Sequence, residues 1–295
     1  MAVQTEKKVI GFVGTGVMGK SMASHFLTRG YSVLVYTRSK EKAEELLAQG
    51  AVWKERVADL ASEANVIITM VGYPHDVEEV YLGEEGIINH AQPGTYLIDM
   101  TTSKPTLAQH IYEEAKKHSL YSLDAPVSGG DIGARDAKLT IMVGGDQQAF
   151  DEMAPLLKIM GTNVILQGGP GAGQHTKMCN QITIASNMLG VCEAISYAKK
   201  AGLDPTRVLE SIGTGAANSW SLTNLAPRMI AGNYAPGFYI KHMIKDMAIA
   251  LETAKELGLL TPGLELAKSL YDEMAAEGEE NSGTQALIKW YEKQR

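Results

Sequence analysis

The chain is short of several things, and each shortage excludes a class of protein. Only two cysteines occur in 295 residues, Cys179 and Cys192. They fall in one apolar-rich segment, thirteen positions apart, which puts them near opposite sides of a helix of about 3.6 residues per turn, where no bridge can join them. A disulfide scaffold is excluded, a reducing compartment is expected, and both thiols read as small core residues. Positive charge is short too. The formal net charge is −7, and no basic cluster is large enough to replace a nucleic acid's counterions, so no nucleic-acid partner is expected. No apolar run approaches a membrane span, and no hydrophobic leader with basic flanks precedes a cleavage signal; a cytoplasmic protein without a membrane partner is expected. None of the seven histidines forms a helical metal pair, so no metal is expected.

What is present is ordinary in amount and specific in order. With 45% hydrophobic and 21% charged residues, the chain is long enough for about two domains. The first half alternates strand and helix patterns. Lys8 to Val13 is a β-rich run, Gly14-Thr15-Gly16-Val17-Met18-Gly19 follows directly, and a helical pattern continues from Lys20 to Arg29 before a second strand, Ser32 to Tyr36. A bare glycine triplet is weak evidence, but strand, glycine loop, helix and strand together form a dinucleotide-binding fingerprint. Gly14 permits the tight turn, Gly16 lets the backbone approach a pyrophosphate, and Gly19 lets the helix pack on the strand.

Where an NAD site would place a carboxylate for the ribose hydroxyls, the second strand ends in Tyr36-Thr37-Arg38-Ser39, with no acid before Glu41. Arg38 can pair with a 2′-phosphate while Thr37 and Ser39 donate hydroxyl hydrogen bonds, which predicts NADP (NADPH) in preference to NAD; alternatively Arg38 is a surface residue of the turn. Further strands are expected over Val66 to Met70, Thr95 to Asp99, Tyr121 to Ala125, Thr140 to Gly144 and Asn163 to Gln167, with helices from Pro105 to Lys117 and from about Gln147. Such alternation implies a parallel sheet covered on both faces, with ligands at the carboxyl ends of its strands. Val71-Gly72-Tyr73 and Thr101-Thr102-Ser103 follow strands, and either line the nicotinamide-ribose side of that cleft or are plain turns. In Asp124-Ala125-Pro126-Val127-Ser128-Gly129-Gly130, Pro126 interrupts the strand, and Ser128 with Gly129 and Gly130 supplies the materials of an anion nest that a substrate carboxylate would fit, or again a turn.

The expected fold is α/β: an N-terminal Rossmann-type doubly wound sheet over residues 1–167, then an all-α domain over residues 168–295, joined through a long helix starting near residue 173 and running to about Ala201. Lys177 there shares a face with Asn180 and Gln181, as an amine beside two amides or simply as a solvated lysine with polar neighbours. Helices are expected over Pro205 to Ile212 with Asp204 as N-cap, Leu222 to Ala231, His242 to Leu257, Pro262 to Ala276 and Thr284 to Tyr291. Lys199-Lys200 and Glu277 to Glu280 read as solvated, and Met18, Met22, Met178 and Met188 as packing.

Four ordered motifs resemble the β-hydroxyacid dehydrogenases, the family of 3-hydroxyisobutyrate dehydrogenase, tartronate semialdehyde reductase and the glyoxylate/succinic semialdehyde reductases: Phe12 to Gly19, Asp124 to Gly130, Gly171 to Gln181, and Lys245-Asp246-Met247. The resemblance implies an NAD(P)-dependent enzyme interconverting a small 3-hydroxyacid and its semialdehyde. It implies that Lys177 is the catalytic acid/base, that Ser128, Gly129 and Gly130 hold the substrate carboxylate, that Thr102 touches the cofactor, and that Lys245 reaches the nicotinamide side. Many members carry a second Asn where Gln181 stands here, and Leu-Pro where Val71-Gly72 stand. A free lysine titrates near about 10.4, so burial or a cation such as Lys245 would have to lower it for base catalysis. The rivals are a 6-phosphogluconate dehydrogenase-like oxidative decarboxylase, whose helical part is much longer, and an inactive NADP-binding scaffold. The apolar surface of the helical half suggests a homodimer or homotetramer.

Overall fold

The computed structural model describes residues 8–293. The apolar run after Lys8 forms strand β1 (Ile10–Val13), all four residues of which are buried, as a strand covered on both faces requires. The other strands are β2 (Val33–Tyr36), β3 (Val52–Trp53), β4 (Val66–Thr69), β5 (Tyr96–Asp99), β6 (Tyr121–Asp124), β7 (Val127–Ser128), β8 (Leu139–Gly144) and β9 (Gly161–Gly168). Between them lie α1 (Val17–Thr28), α2 (Glu44–Ala48), α3 (Val57–Glu63), α4 (Pro74–Leu82), α5 (Ile87–His90), α6 (Pro105–Lys117), α7 (Gly130–Arg135) and α8 (Gln147–Leu157).

Among the described residues one sheet holds all nine strands in the order β3-β2-β1-β4-β5-β6-β8-β7, with β9 paired to β8. The strands from β3 to β6 are parallel. Their order reverses beside β1, so the switch point of the sheet lies at the carboxyl ends of β1 and β4, where open α/β sheets bind ligands. Successive side chains point to opposite faces: Ile10 and Phe12 join one core with Met22, Phe26 and Ile68, while Val13, Ile67 and Leu97 join the other with Tyr81 and Ile111.

The sheet is parallel for the most part, as expected; β8 is the exception, running antiparallel to β6 and β7 and parallel to β9. The physical reason is length. Parallel pairing needs a crossover of about a dozen residues or more, and the link from β7 to β8 is shorter than that and partly taken up by α7.

The chain divides into two compact units inside α9 (Ala172–Lys200), the first ending at Lys177 and the second starting at Met178. The sequence places the boundary after residue 167, one residue before β9 ends; the start of α9 is bonded to the sheet unit through Gly171 N and Gln174 N, which donate to Asp124. The helical unit continues with α10 (Pro205–Ile212), α11 (Trp220–Asn224), α12 (Ala226–Ile230), α13 (Ile240–Glu256), α14 (Pro262–Met274) and α15 (Ile288–Lys293). Asp204 caps α10, accepting from Thr206 N at 2.9 Å. The single helix expected over Leu222 to Ala231 breaks at Leu225, because Pro227 has no N–H to continue the ladder. The stretch from Thr284 starts as a 3-10 turn before α15.

Met178, Met188, Cys192 and Ile195 from α9 pack with Met243, Met247, Tyr271 and Met274 in the core of this unit. Cys179 departs from expectation: it is exposed, while Cys192 is buried. Thirteen residues rotate a helix by about 220° beyond whole turns, so only one of the two can face the core. The charged runs are partly tied down: Glu279 lies 2.6 Å from Lys289, and Lys199 pairs with Glu292. Among the described residues no helix is long and apolar enough to cross a membrane.

Candidate functional site

The glycine loop shows three glycines with three separate physical roles. Gly14 has φ +95°, where an L side chain is strained, and a Cβ there would overlap Met70 O, so the ends of β1 and β4 meet at this residue. A Cβ on Gly19 would overlap Gly14 O. Gly16, the N-cap of α1, is exposed, and a Cβ on it would meet nothing within 4 Å. The protein's own packing therefore needs Gly14 and Gly19 but leaves the space above Gly16 open, the cradle that close approach of a pyrophosphate requires. No side chain caps α1 and no acid stands in its first turn, so its first N–H groups and partial positive charge remain available for an anion. Among the described residues the buried Thr15 hydroxyl has no hydrogen-bond partner, a further polar atom for a ligand to satisfy. Val17 is exposed, while Met18 packs on the sheet core. These residues fit a dinucleotide.

At the end of β2, Thr37 and Ser39 are half-buried and Arg38 is exposed. The acid that β2 lacks arrives from a helix: Asp76, in the first turn of α4, stands 3.1 Å from Arg38 Nη1. Asp76 is buried and accepts from Tyr73 N at 3.0 Å, closing a capping box at the start of α4. Pro74 followed by Asp76 is the signal in the sequence that could have revealed it.

A buried polar network joins the loops after β4, β5 and β6. Asp99 Oδ1 accepts from Thr69 Oγ1 at 2.7 Å and from Thr101 N at 3.0 Å, and Thr69 also bonds Tyr81 OH at 3.0 Å. Val71 N donates to Thr101 Oγ1 at 3.0 Å, so that amide is engaged within the protein, and Gly72 lies beside Asp76. Burial pushes the Asp99 carboxyl up to about 6, against the opposing effect of the bonds from Thr69 and Thr101. Asp124 is paired in register with Asp99, and burial raises its pKa as well. Its two oxygens accept from Gly171 N and Gln174 N, both at 2.8 Å, and so cap the start of α9. Gln174 in turn donates from Nε2 to Thr101 O at 2.7 Å and accepts at Oε1 from Ser103 N at 2.9 Å. Thr102, between those two residues, is half-buried.

Ser128 ends β7, and Gly129 and Gly130 follow with φ +131° and +62° at the start of α7. Both φ values are positive, a backbone region that L side chains rarely adopt, which explains why glycines stand there. Three residues beyond Gln174, Lys177 is 7% exposed, a long cationic side chain held out of bulk water.

One turn further along α9, in the helical unit, the amide groups expected to serve the substrate bond one another and α13. Asn180 Nδ2 donates to Gln181 Oε1 at 2.7 Å, and Gln181 Nε2 donates to Asp246 Oδ2 at 2.5 Å. Lys245 Nζ stands 3.1 Å from Asp246 Oδ1, a charge contact beside the amide bond. Gln181, wholly buried, therefore links Asn180 to Asp246. Asp76 and Asp99 are polar residues that the sequence did not single out, and Asp124, Gln174 and Asp246 lie in motifs of the sequence in which no role was assigned to them. Among the described residues no three His, Cys, Asp or Glu side chains converge as a metal site.

Fold and glycine loop define a dinucleotide-binding α/β protein with an appended helical domain. Residues 9–169 match the family model for the NAD-binding domain of 6-phosphogluconate dehydrogenase, and residues 171–291 match that described as NAD-binding of NADP-dependent 3-hydroxyisobutyrate dehydrogenase. The chain is 64% identical over 287 residues to an uncharacterized oxidoreductase of Bacillus subtilis (strain 168), covering 97% of this chain and 100% of that one. It is 38% identical over 280 residues to the 2-hydroxy-3-oxopropionate reductase of Escherichia coli (strain K12), covering 95% and 96%. Among solved structures, 3-hydroxyisobutyrate dehydrogenase of Mycobacterium tuberculosis with L-serine is similar, with TM-score 0.89, 29% identity and coverage of 96% and 99%. The chain belongs to the β-hydroxyacid dehydrogenase family. It is an NAD(P)-dependent oxidoreductase.

Proposed function

We propose that the protein interconverts a small 3-hydroxyacid and its semialdehyde, with NADPH preferred over NADH and Lys177 as general acid/base. The observation that carries this is a buried lysine amine on the first turns of α9, a segment bonded by Asp124 and Gln174 to the carboxyl ends of the same sheet that presents the open glycine cradle. When bound, the nicotinamide supplies the hydride or takes it. The protein's task is to move the matching proton: as an ammonium, Lys177 gives it to the carbonyl oxygen of an aldehyde, and as an amine it takes it from an alcohol.

Gly14 to Gly19 hold the pyrophosphate, and Thr37, Arg38 and Ser39 the 2′-phosphate. Val71, Gly72 and Thr102 line the ribose and nicotinamide side, to which Lys245 is also assigned. Ser128, Gly129 and Gly130 anchor the substrate carboxylate. Asn180, bonded to Gln181, steadies the reacting oxygen. The preference for NADPH is supported by Arg38 and by the NADP-dependent relatives behind the helical-half family model. A 6-phosphogluconate dehydrogenase-like decarboxylation has support from the first-half model alone, which describes only a nucleotide-binding domain, whereas the helical half matches the hydroxyisobutyrate type. Assembly into a homodimer or homotetramer is consistent with exposed Trp220, Leu259 and Leu260, and light scattering would measure it.

The test is a panel of short semialdehydes and 3-hydroxyacids assayed with both cofactors, in the native enzyme and in Lys177→Ala. The variant is expected to bind NADPH normally and to lose at least about a hundredfold in kcat, the usual scale for an acid/base group. Unchanged turnover would overturn the assignment.

A further inference from the structure

Gln174 is wholly buried in the first turn of α9 and makes three hydrogen bonds. Its N–H donates to Asp124 Oδ2 at 2.8 Å, its Nε2 donates to Thr101 O at 2.7 Å, and its Oε1 accepts from Ser103 N at 2.9 Å. One side chain therefore bonds the two residues on either side of Thr102 and sits three residues before Lys177. Packing alone does not call for an amide here. Methionine would fill a similar volume, and a buried amide is tolerated only because both of its ends are paired. Nor can the helix start be seated elsewhere: a Cβ on Gly173 would lie 2.5 Å from Asp124 O, and one on Gly171 would lie 3.0 Å from Pro105 O.

We propose that Gln174 is a positioning residue for the reaction, coupling the Thr102 loop on the cofactor's side to the helical turn that carries Lys177. The proposal rests on Lys177 being the acid/base. Residues three apart share a helix face, and the backbone bonds of the turn carry any displacement of Gln174 on to Lys177. Without the side-chain bonds, the loop and the turn move independently. A misplacement of about 1 Å at a reacting group costs on the order of a hundredfold in rate.

The variants are Gln174→Met, which keeps the length and removes both side-chain bonds, and Gln174→Glu, which keeps the acceptor for Ser103 N–H and loses the donor toward Thr101 O. Rates are counted per NADPH-binding molecule, from the fluorescence of bound NADPH, so that unfolded protein does not enter. Gln174→Met is expected to lose about ten- to a hundredfold in kcat, with NADPH affinity within about threefold of native; Gln174→Glu is expected to lose less. The isotope effect with NADPH deuterated at the transferred position should rise in Gln174→Met, because hydride transfer then limits turnover more fully. By hydrogen exchange, NADPH should slow the amides of residues 172–177 in the native protein and fail to do so in Gln174→Met, while the glycine loop still responds. Native kcat, isotope effect and exchange response with only a lower Tm would overturn the proposal, leaving Gln174 as a partner for loop backbone. If Gln174→Met yields no NADPH-binding protein, the same measurements on Gln174→Glu decide. Full turnover in Lys177→Ala would remove the acid/base assignment together with the coupling, whereas loss there with native behaviour in Gln174→Met removes the coupling alone.

Discussion

Arg38 and Asp76 meet between the end of β2 and the first turn of α4: the guanidinium Nη1 lies 3.1 Å from Oδ1, with the arginine exposed and the carboxylate buried. The arginine assigned to a 2′-phosphate is thus held by an acid of the same protein, and two opposing effects can be separated by mutation. Arg38→Ala should weaken NADPH binding by about ten- to a hundredfold, corresponding to charged hydrogen bonds of about 1.5–3 kcal/mol, with little effect on NADH. Asp76→Asn keeps an acceptor for Tyr73 N–H, removes the negative charge and should tighten NADPH selectively. Fluorescence titration with both cofactors checks this, and equal losses for NADPH and NADH in Arg38→Ala would contradict it.

Two substitutions in the glycine loop should part stability from binding. A Cβ on Gly16 meets only open space, so Gly16→Ala should leave Tm within a few degrees of native while cutting NADPH affinity at least about tenfold, because the methyl stands where the pyrophosphate must approach. A Cβ on Gly19 overlaps Gly14 O, so Gly19→Ala should lower stability by about 2 kcal/mol or more through backbone displacement. Calorimetry and cofactor titration on the pair give the comparison; a destabilised Gly16→Ala would count against the open cradle.

The Asp99 carboxyl carries a pH signature. Its pKa is about 6 in the folded protein against 3.8 for the free group, so between those values the folded state binds more protons than the unfolded state, and stability from this group falls as pH rises from about 4 to about 6. The gap corresponds to on the order of 3 kcal/mol at neutral pH. Asp99→Asn keeps Oδ1 for Thr69 and Thr101 without the charge. Relative to the native protein, it should gain stability on going from pH 4.5 to pH 7.5. Urea unfolding at the two values measures it, and a pH-independent difference would show that Asp99 titrates normally.

The two thiols should differ in reactivity. Cys179 is exposed, whereas Cys192 sits in the helical core, where burial raises its pKa and suppresses the thiolate. Iodoacetamide on the native protein should label Cys179 and reach Cys192 only after denaturation, as read by peptide mass spectrometry. Equal rates at both would contradict the packing of α9.

By itself the sequence determined what depends on neighbours along the chain. The strand, glycine loop and helix from Ile10 to Thr28, the cap of Asp204 on α10, and the order of Lys177, Asn180 and Gln181 along α9 follow from apolar periodicity, glycine placement and helix spacing, all local quantities. Tertiary structure alone decided which distant polar atoms meet: Asp76 with Arg38, Asp124 with the first turn of α9, Gln174 with the Thr101 and Ser103 backbone, and Asp246 with Gln181. It also set the direction of β8 and which cysteine faces the core. A buried polar group must find a partner, but spacing along the chain does not say which of many distant donors and acceptors folding will bring into contact with it.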